Sequence, residues 1–323
     1  TCNSENMLGM HLGDGALYIY RTGGEYENIQ PLWDWHRLPG TTCDQSISNL
    51  VPGNKKCRLP ADFVGGVGDG TSGVAALDYR RDALSAKKSW FFEDDAIVCL
   101  TAGVTASNLG PVLTSIQQSL LQGEAVAVSG PVSGKVGLKA GDWVHHAGIG
   151  YLIVQGNTPV VQTVRQEGDW KAIFPTKPGS PQSGEVFSLW FDHGRSPRDQ
   201  SCACIIFPGV SVGDMPGLAR QGDIQILSNT PELQAIATDH KSRVRAVFYK
   251  PGRLEWTTAQ VLETDAPCIA TLVSSPQGIS LHVADPTQKR RELHLQVAGR
   301  AVSVKLPTDG EAGKAVDVTL HIH

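Results

Sequence analysis

Short runs rich in β-branched and aromatic residues, each closed by a glycine- or proline-bearing turn, recur along the chain and leave little room for any architecture but sheet. Such runs cover residues 89–92, 97–100, 125–129, 151–154, 160–164, 186–191 and 202–207. Between them stand Ser129-Gly130-Pro131, Gly156-Asn157-Thr158-Pro159 and Lys177-Pro178-Gly179-Ser180-Pro181. These residues stop both helices and strands. Regular short strands with such turns predict packed sheets, as sandwiches or barrels. The two runs around Glu93-Asp94-Asp95 read as a hairpin. Residues 16–20 (ALYIY) read as a strand ending at Thr22-Gly23-Gly24. Helical signals are few. Residues 112–121 carry apolar side chains at 112, 113, 116, 120 and 121, a helical spacing that their Thr and Ser content opposes. Residues 75–88 fit either period, and residues 31–40 fit neither.

A length of 323 residues suggests about two domains. Residues 208–222 are rich in Gly, Pro and Asp, and beyond Asp223 aromatics thin out and charge rises. The expected organisation is a large β domain over 1–222 and a smaller all-β domain over 223–323. At 41% hydrophobic and 19% charged the chain is globular, and a formal net charge of -4 favours neither nucleic acid nor an anionic membrane as partner. No apolar run approaches the ~20 residues of a membrane helix.

Seven cysteines, Cys2, Cys43, Cys57, Cys99, Cys202, Cys204 and Cys268, include no CxxC pair, which argues against a zinc ribbon. Cys202 and Cys204 share one face if they lie on a strand. They read as buried thiols. Cys43 and Cys57 bracket a polar loop and could form a bridge. Gly68-Asp69-Gly70-Thr71-Ser72-Gly73 spells GxGxxG, but no helix follows and the context is β, so a glycine-rich turn is the better reading than a dinucleotide site. His145 and His146 point to opposite faces of a strand and cannot share a metal. His193, beside Asp192, reads as an Asp-supported turn residue. His321 and His323 alternate near the C-terminus and could bind metal adventitiously. HExxH, EF-hand and GxSxG patterns are absent, so neither a resident metal nor a nucleophilic serine is expected.

The densest motif region is residues 3–42. Asn3, Glu5, Asn6, His11 and Asp14 form a polar cluster spaced by Gly9, Gly13 and Gly15. Acid, base and amide groups among glycines make either a site or a network that pins irregular backbone, and composition does not choose between them. Trp33, Trp35 and Trp90 are candidates to stack on sugar rings or to fill core. Arg21, Arg37, Lys55, Lys56, Arg58, Arg80, Arg81, Lys87 and Lys88 could steer an acidic polymer or simply face solvent.

Several of these blocks, in this order, resemble polysaccharide lyase family 8, the hyaluronate, chondroitin and xanthan lyases. The resemblance rests on Asn3-Ser4-Glu5-Asn6 with Gly13-Asp14-Gly15, on residues 31–42 (PLWDWHRLPGTT) and on residues 63–70 (FVGGVGDG). It continues through residues 87–92 with 97–100, Trp143 to His146 with Ile149-Gly150-Tyr151, Asp192-His193-Gly194, and residues 227–231. The Trp33 block is most similar to chondroitin AC lyases. The resemblance implies an all-β chain: a large multi-layered antiparallel β-sandwich domain followed by a small C-terminal β-sandwich domain. It favours strand over helix for residues 112–121. It implies secretion and an acidic polysaccharide substrate, cleaved by β-elimination without a cofactor or metal. It further implies an N-terminal α-toroid domain that supplies the catalytic Asn, His, Tyr and Arg, with a supporting Glu just upstream of Thr1. Asn3 matches a substrate-contacting Asn at the cleft edge, and Glu5, Asn6 and His11 stand behind it. The chain alone is therefore expected to be inactive or nearly so. The alternatives are a xanthan-directed lyase portion and a non-catalytic carbohydrate-binding β module.

Overall fold

The computed structural model describes residues 5–46, 59–107, 110–258 and 260–321. Among these residues strands dominate, and the two α-helices, Trp170–Ile173 and Met215–Leu218, are single turns. Four sheets carry the fold. A five-stranded sheet runs in the order Thr42–Asp44, Pro111–Leu120, Pro181–Arg195, Pro159–Asp169, Gly134–Gly137. A nine-stranded sheet follows the order Val64–Gly68, Gly73–Arg81, Leu84–Phe92, Ile97–Ala106, Gln200–Pro208, Ile149–Gln155, Trp143–His146, Val126–Ala127, Gly130–Pro131. A six-stranded sheet (Gln225–Asn229, Leu233–Thr238, Arg243–Phe248, Cys268–Ser275, Gly278–Ala284, Val316–His321) and a four-stranded sheet (Gly252–Thr257, Gln260–Thr264, Glu292–Val297, Arg300–Lys305) complete it. Among the described residues, no helix is long and apolar enough to cross a membrane.

The chain divides into two compact units. One comprises residues 1–60, 79–86 and 104–220, the other residues 61–78, 87–103 and 221–323. In the first unit, the five-stranded sheet packs on the strands Trp143–His146 and Ile149–Gln155. His146 stacks on Phe187 with ring centroids 4.4 Å apart, and Tyr151 lies 5.8 Å from the same ring. In the second unit, the six- and four-stranded sheets close on one apolar core that includes Phe248, Leu254, Trp256, Leu262, Leu281 and Leu293.

The helical spacing of residues 112–121 misleads, and the strand that the resemblance favours is what forms. Pro111–Leu120 is a central strand buried along nearly its whole length, so apolar and polar side chains alike point inward and period-2 alternation disappears. Residues 75–88 resolve into the ends of two strands, and residues 84–106 form the expected hairpin around Glu93. The glycine-rich hexad is the turn between Val64–Gly68 and Gly73–Arg81. Asp69 accepts from the amides of Thr71 (3.0 Å) and Ser72 (2.8 Å) there, and burial, which raises its pKa, is outweighed by these bonds, so the carboxylate sits well below the usual range. Residues 16–20 are not a strand. They join no ladder; the Leu17 amide donates to the Pro39 carbonyl (2.9 Å) and the Ile19 amide to the Tyr26 hydroxyl (3.3 Å). Cys202 and Cys204 are buried thiols on Gln200–Pro208 that form no disulfide, as expected. Cys43 is also a buried free thiol, and Cys57 lies outside the described residues.

Candidate functional site

The polar cluster near the start of the chain condenses around Asp14. The sequence Gly9–Gly13 turns as a 3-10 helix and delivers Asp14 to a fully buried position. A buried carboxylate needs a full set of donors. Arg81 supplies two, Nε to Oδ2 at 2.8 Å and Nη2 to Oδ1 at 2.6 Å, and the Tyr79 hydroxyl donates at 3.2 Å. His11 Nδ1 stands 2.8 Å from Oδ2. Burial pushes the Asp14 pKa up, but His11 and Arg81 outweigh it and hold the carboxyl below its usual value. An ionised Asp14 only accepts, so Nδ1 carries the proton. The other face of the ring, Nε2, lies 3.3 Å from Cys43 Sγ. Burial, then the charges of Asp14, Asp44 and Asp34, push the Cys43 thiol well above its ordinary value, so this Cys-His-Asp line contains no thiolate nucleophile. His11 is sealed from solvent.

Of the other residues in that cluster, Glu5 is exposed and Asn6 is half-buried, its Oδ1 accepting from the Leu8 amide at 3.1 Å. Asn3 lies outside the described residues. Next to Asn6, the Met7 amide donates to the Ile173 carbonyl at 2.9 Å, and Leu8 and Leu12 pack on the cluster of Trp35, Leu38 and Ile173.

Residues 33–37 lie against the five-stranded sheet, where Gln118 stands in for a strand partner. Its buried side chain accepts from the Asp34 amide (2.8 Å) and donates to the carbonyls of Asp34 (3.1 Å) and Arg37 (3.0 Å). Ser115 Oγ donates to the same Arg37 carbonyl at 2.9 Å. Asp34 closes the turn by accepting from the His36 amide (3.0 Å) and Arg37 Nε (2.7 Å). Burial raises the Asp34 pKa, but His36 and Arg37 hold it far below the carboxylate range. Gly40 ends the segment at φ +83°, where a Cβ would stand 2.6 Å from the Leu17 amide nitrogen, so only glycine fits.

This scaffold presents aromatic rings and cations. Trp33 stacks on Tyr18 (5.9 Å, 27°) and meets Trp35 edge-on (5.3 Å, 88°). Tyr20, 63% exposed, leans on Tyr26 at 5.0 Å. Arg37 lies over Trp190, Cζ 4.8 Å from the ring centroid, and Lys135 Nζ lies 5.7 Å from the same ring. Exposed rings and cations bind and orient a sugar chain. Trp35 is core, and Trp33 is half core and half surface. Trp90 sits apart on Leu84–Phe92, beneath the Lys88 ammonium at 5.6 Å.

Other candidates resolve into structural roles. His146 Nε2 accepts from the Gln122 amide (3.0 Å), and His145 Nε2 lies 3.0 Å from the Val210 carbonyl, so the pair does point to opposite faces. At the His193 turn, Asp192 accepts from the Gly194 amide (2.9 Å), and His193 Nε2 lies 2.8 Å from Thr114 Oγ1. Among the basic residues, Arg81 and Lys88 are buried and Lys87 pairs with Asp78 at 2.6 Å, so none of these three forms a free cationic surface. Lys55, Lys56 and Arg58 lie outside the described residues. Gln118, Trp190, Lys135, Tyr18 and Tyr20 were not singled out by sequence reasoning. Only Gln117-Gln118 left a trace, as an amide pair inside an otherwise apolar and hydroxyl-bearing run.

Comparison with known proteins places these features. The super-sandwich domain of polysaccharide lyase family 8 matches residues 1–219, and the C-terminal beta-sandwich domain of the same family matches residues 225–294. A chondroitinase-AC of Pedobacter heparinus is 35% identical over 98% of this chain and 47% of its own length. A hyaluronate lyase of Thermasporomyces composti is 29% identical over 89% of this chain and 38% of its own. A solved chondroitinase AC lyase, determined in complexes with oligosaccharide, superposes with a TM-score of 0.92 at 33% identity, covering 98% of this chain and 49% of that one. The chain thus spans half or less of the length of these relatives.

Proposed function

Because the chain belongs to polysaccharide lyase family 8, we propose that it is the C-terminal β portion of a lyase that cleaves uronic-acid-containing glycosaminoglycan, chondroitin or hyaluronan, to 4,5-unsaturated products. The observation that carries this reading is the face built on residues 33–37, where Tyr18, Tyr20 and Trp33 offer rings and Arg37 and Lys135 offer charge. Aromatic planes accept the apolar faces of sugars, and the cations match uronate and sulfate.

β-Elimination removes the C5 proton of the uronate, stabilises the developing enolate and expels O4 with a proton. The groups of this face bind and orient. His11, one of the two histidines of the motif region, is sealed behind Asp14 and Cys43 and cannot take that proton. In this reading the base comes from an N-terminal helical toroid of the same enzyme, Asn3 contacts substrate, and the acidic polymer places the enzyme outside the cell. The test is ultraviolet absorbance of the unsaturated uronide. The purified 323-residue chain should form no product from chondroitin or hyaluronan, and the chain joined to its toroid should form it from at least one. Product from the chain alone would overturn the division of labour. No product from the joined enzyme would overturn the lyase reading.

A further inference from the structure

We propose that Arg37, Lys135 and Trp190 form an anion subsite that grips a carboxylate or sulfate group of the acidic sugar chain. The inference rests on the function proposed above and deepens it. Arg37 is fixed from two sides: Asp34 takes its Nε at 2.7 Å, and the Trp190 ring lies under its Cζ at 4.8 Å. Among the described residues, no partner takes the two terminal nitrogens of the guanidinium. Its side chain is 18% exposed, so part of it remains open to solvent. A planar fork of this kind matches the two oxygens of a carboxylate or the edge of a sulfate.

The second cation, Lys135, rides on the exposed strand Gly134–Gly137 and reaches the same indole at 5.7 Å. No acidic side chain pairs with it among the described residues. The two charged heads are therefore no farther apart than the sum of their distances to the ring, within the span of neighbouring anionic groups on a glycosaminoglycan. Asp34 neutralises one positive charge of the pair and leaves the other unopposed, in a chain whose net charge is -4. An edge-strand lysine also guards against sheet-to-sheet pairing. That role does not require its ammonium over an indole beside an open guanidinium.

The test titrates the 323-residue chain with oligosaccharides of chondroitin 4-sulfate, unsulfated chondroitin and hyaluronan, and with a neutral oligosaccharide, following tryptophan fluorescence. Lys135→Ala removes one charge on an exposed side chain, and Arg37→Lys keeps the charge but loses the fork. Lys139→Ala, an exposed lysine of the same unit, is the control. Loss of one charge-assisted contact should weaken binding roughly tenfold, with less than a twofold effect for the control. Weakening confined to the sulfated ligand identifies a sulfate, and equal weakening for all acidic ligands identifies the uronate carboxylate. Wild-type binding that neither variant alters would overturn the subsite and leave the lyase reading standing. Wild type binding no acidic ligand, or the neutral one equally well, would overturn the subsite and remove the support that this face lends to the lyase reading.

Discussion

At the scale of single residues, what decides the fold is how each buried polar group is satisfied. His146 is the sharpest case. Its Nε2 accepts from the Gln122 amide, its ring stacks on Phe187, and burial, then the neighbouring His145, lowers its pKa from 6.5 to about 4. A histidine held neutral when folded binds its proton more readily when unfolded. Its contribution is therefore fully present above about pH 6.5 and lost as the pH falls toward about 4. The expected loss across that window is on the order of 3 kcal/mol. His146→Gln keeps an acceptor without a titrating ring, so thermal midpoints between pH 6.5 and 4 should slope less in the variant than in the parent. Equal slopes would place the acid sensitivity elsewhere. Asp14 shows why such residues are half legible. The pairing His11–Asp14 stands in the sequence three positions apart, a spacing that fits a site and a scaffold equally well. Its partner Arg81 comes from 67 residues downstream, and only the tertiary fold brings the guanidinium to the carboxylate.

At the scale of elements, legibility follows burial. The hairpin around Glu93 and the glycine-rich turn were readable because their signals are local: turn residues, and Asp69 capping its own loop. Pro111–Leu120 was hidden because a strand buried on both faces has no alternation to read. Residues 16–20 misled in the opposite direction: their composition is that of a strand, yet the partner that would complete a ladder is replaced by the Pro39 carbonyl and the Tyr26 hydroxyl. Gln118 is the element-level counterpart, a side chain acting as backbone. Gln118→Leu keeps the volume and takes the partner from the Asp34 amide and the Asp34 carbonyl, while the Arg37 carbonyl keeps Ser115 Oγ, a loss of roughly 2–4 kcal/mol. Hydrogen exchange should report it locally. The Asp34 amide is expected to lose protection while the amides of Pro181–Arg195 keep theirs. Uniform loss along both would show that Gln118 holds the sheet and not the loop.

At the scale of the whole molecule, the break in composition near Gly222 and the packing of the second unit answer different questions. The first marks where the chain changes character; the second is decided by which faces need covering. The six-stranded sheet of that unit buries Val244, Ala246 and Phe248 on one face, against the four-stranded sheet. Its other face carries Ile236, Arg245 and Thr271 in register, with Val247 and Ile269 one pair further on, all almost without solvent exposure. What covers them within the unit comes from upstream. Arg245 Nε donates to Glu93 at 2.6 Å, Gln234 Nε2 to the Lys87 carbonyl at 3.3 Å, the Tyr249 hydroxyl to the Lys88 carbonyl at 2.9 Å, and Phe63 packs 4.8 Å from the Tyr249 ring. A fragment cut at the compositional break, residues 223–323, would keep its sandwich core and uncover this second face. Ile236, Val247 and Ile269 would then meet water as one apolar patch around an unpaired Arg245, the kind of surface that drives association. The expected outcome is a folded fragment that self-associates and binds a hydrophobic dye, whereas the full 323-residue chain does so markedly less. Sedimentation and dye fluorescence on the fragment and the full chain decide it. A monomeric, dye-silent 223–323 would mean that the upstream segments rest on this face without stabilising it.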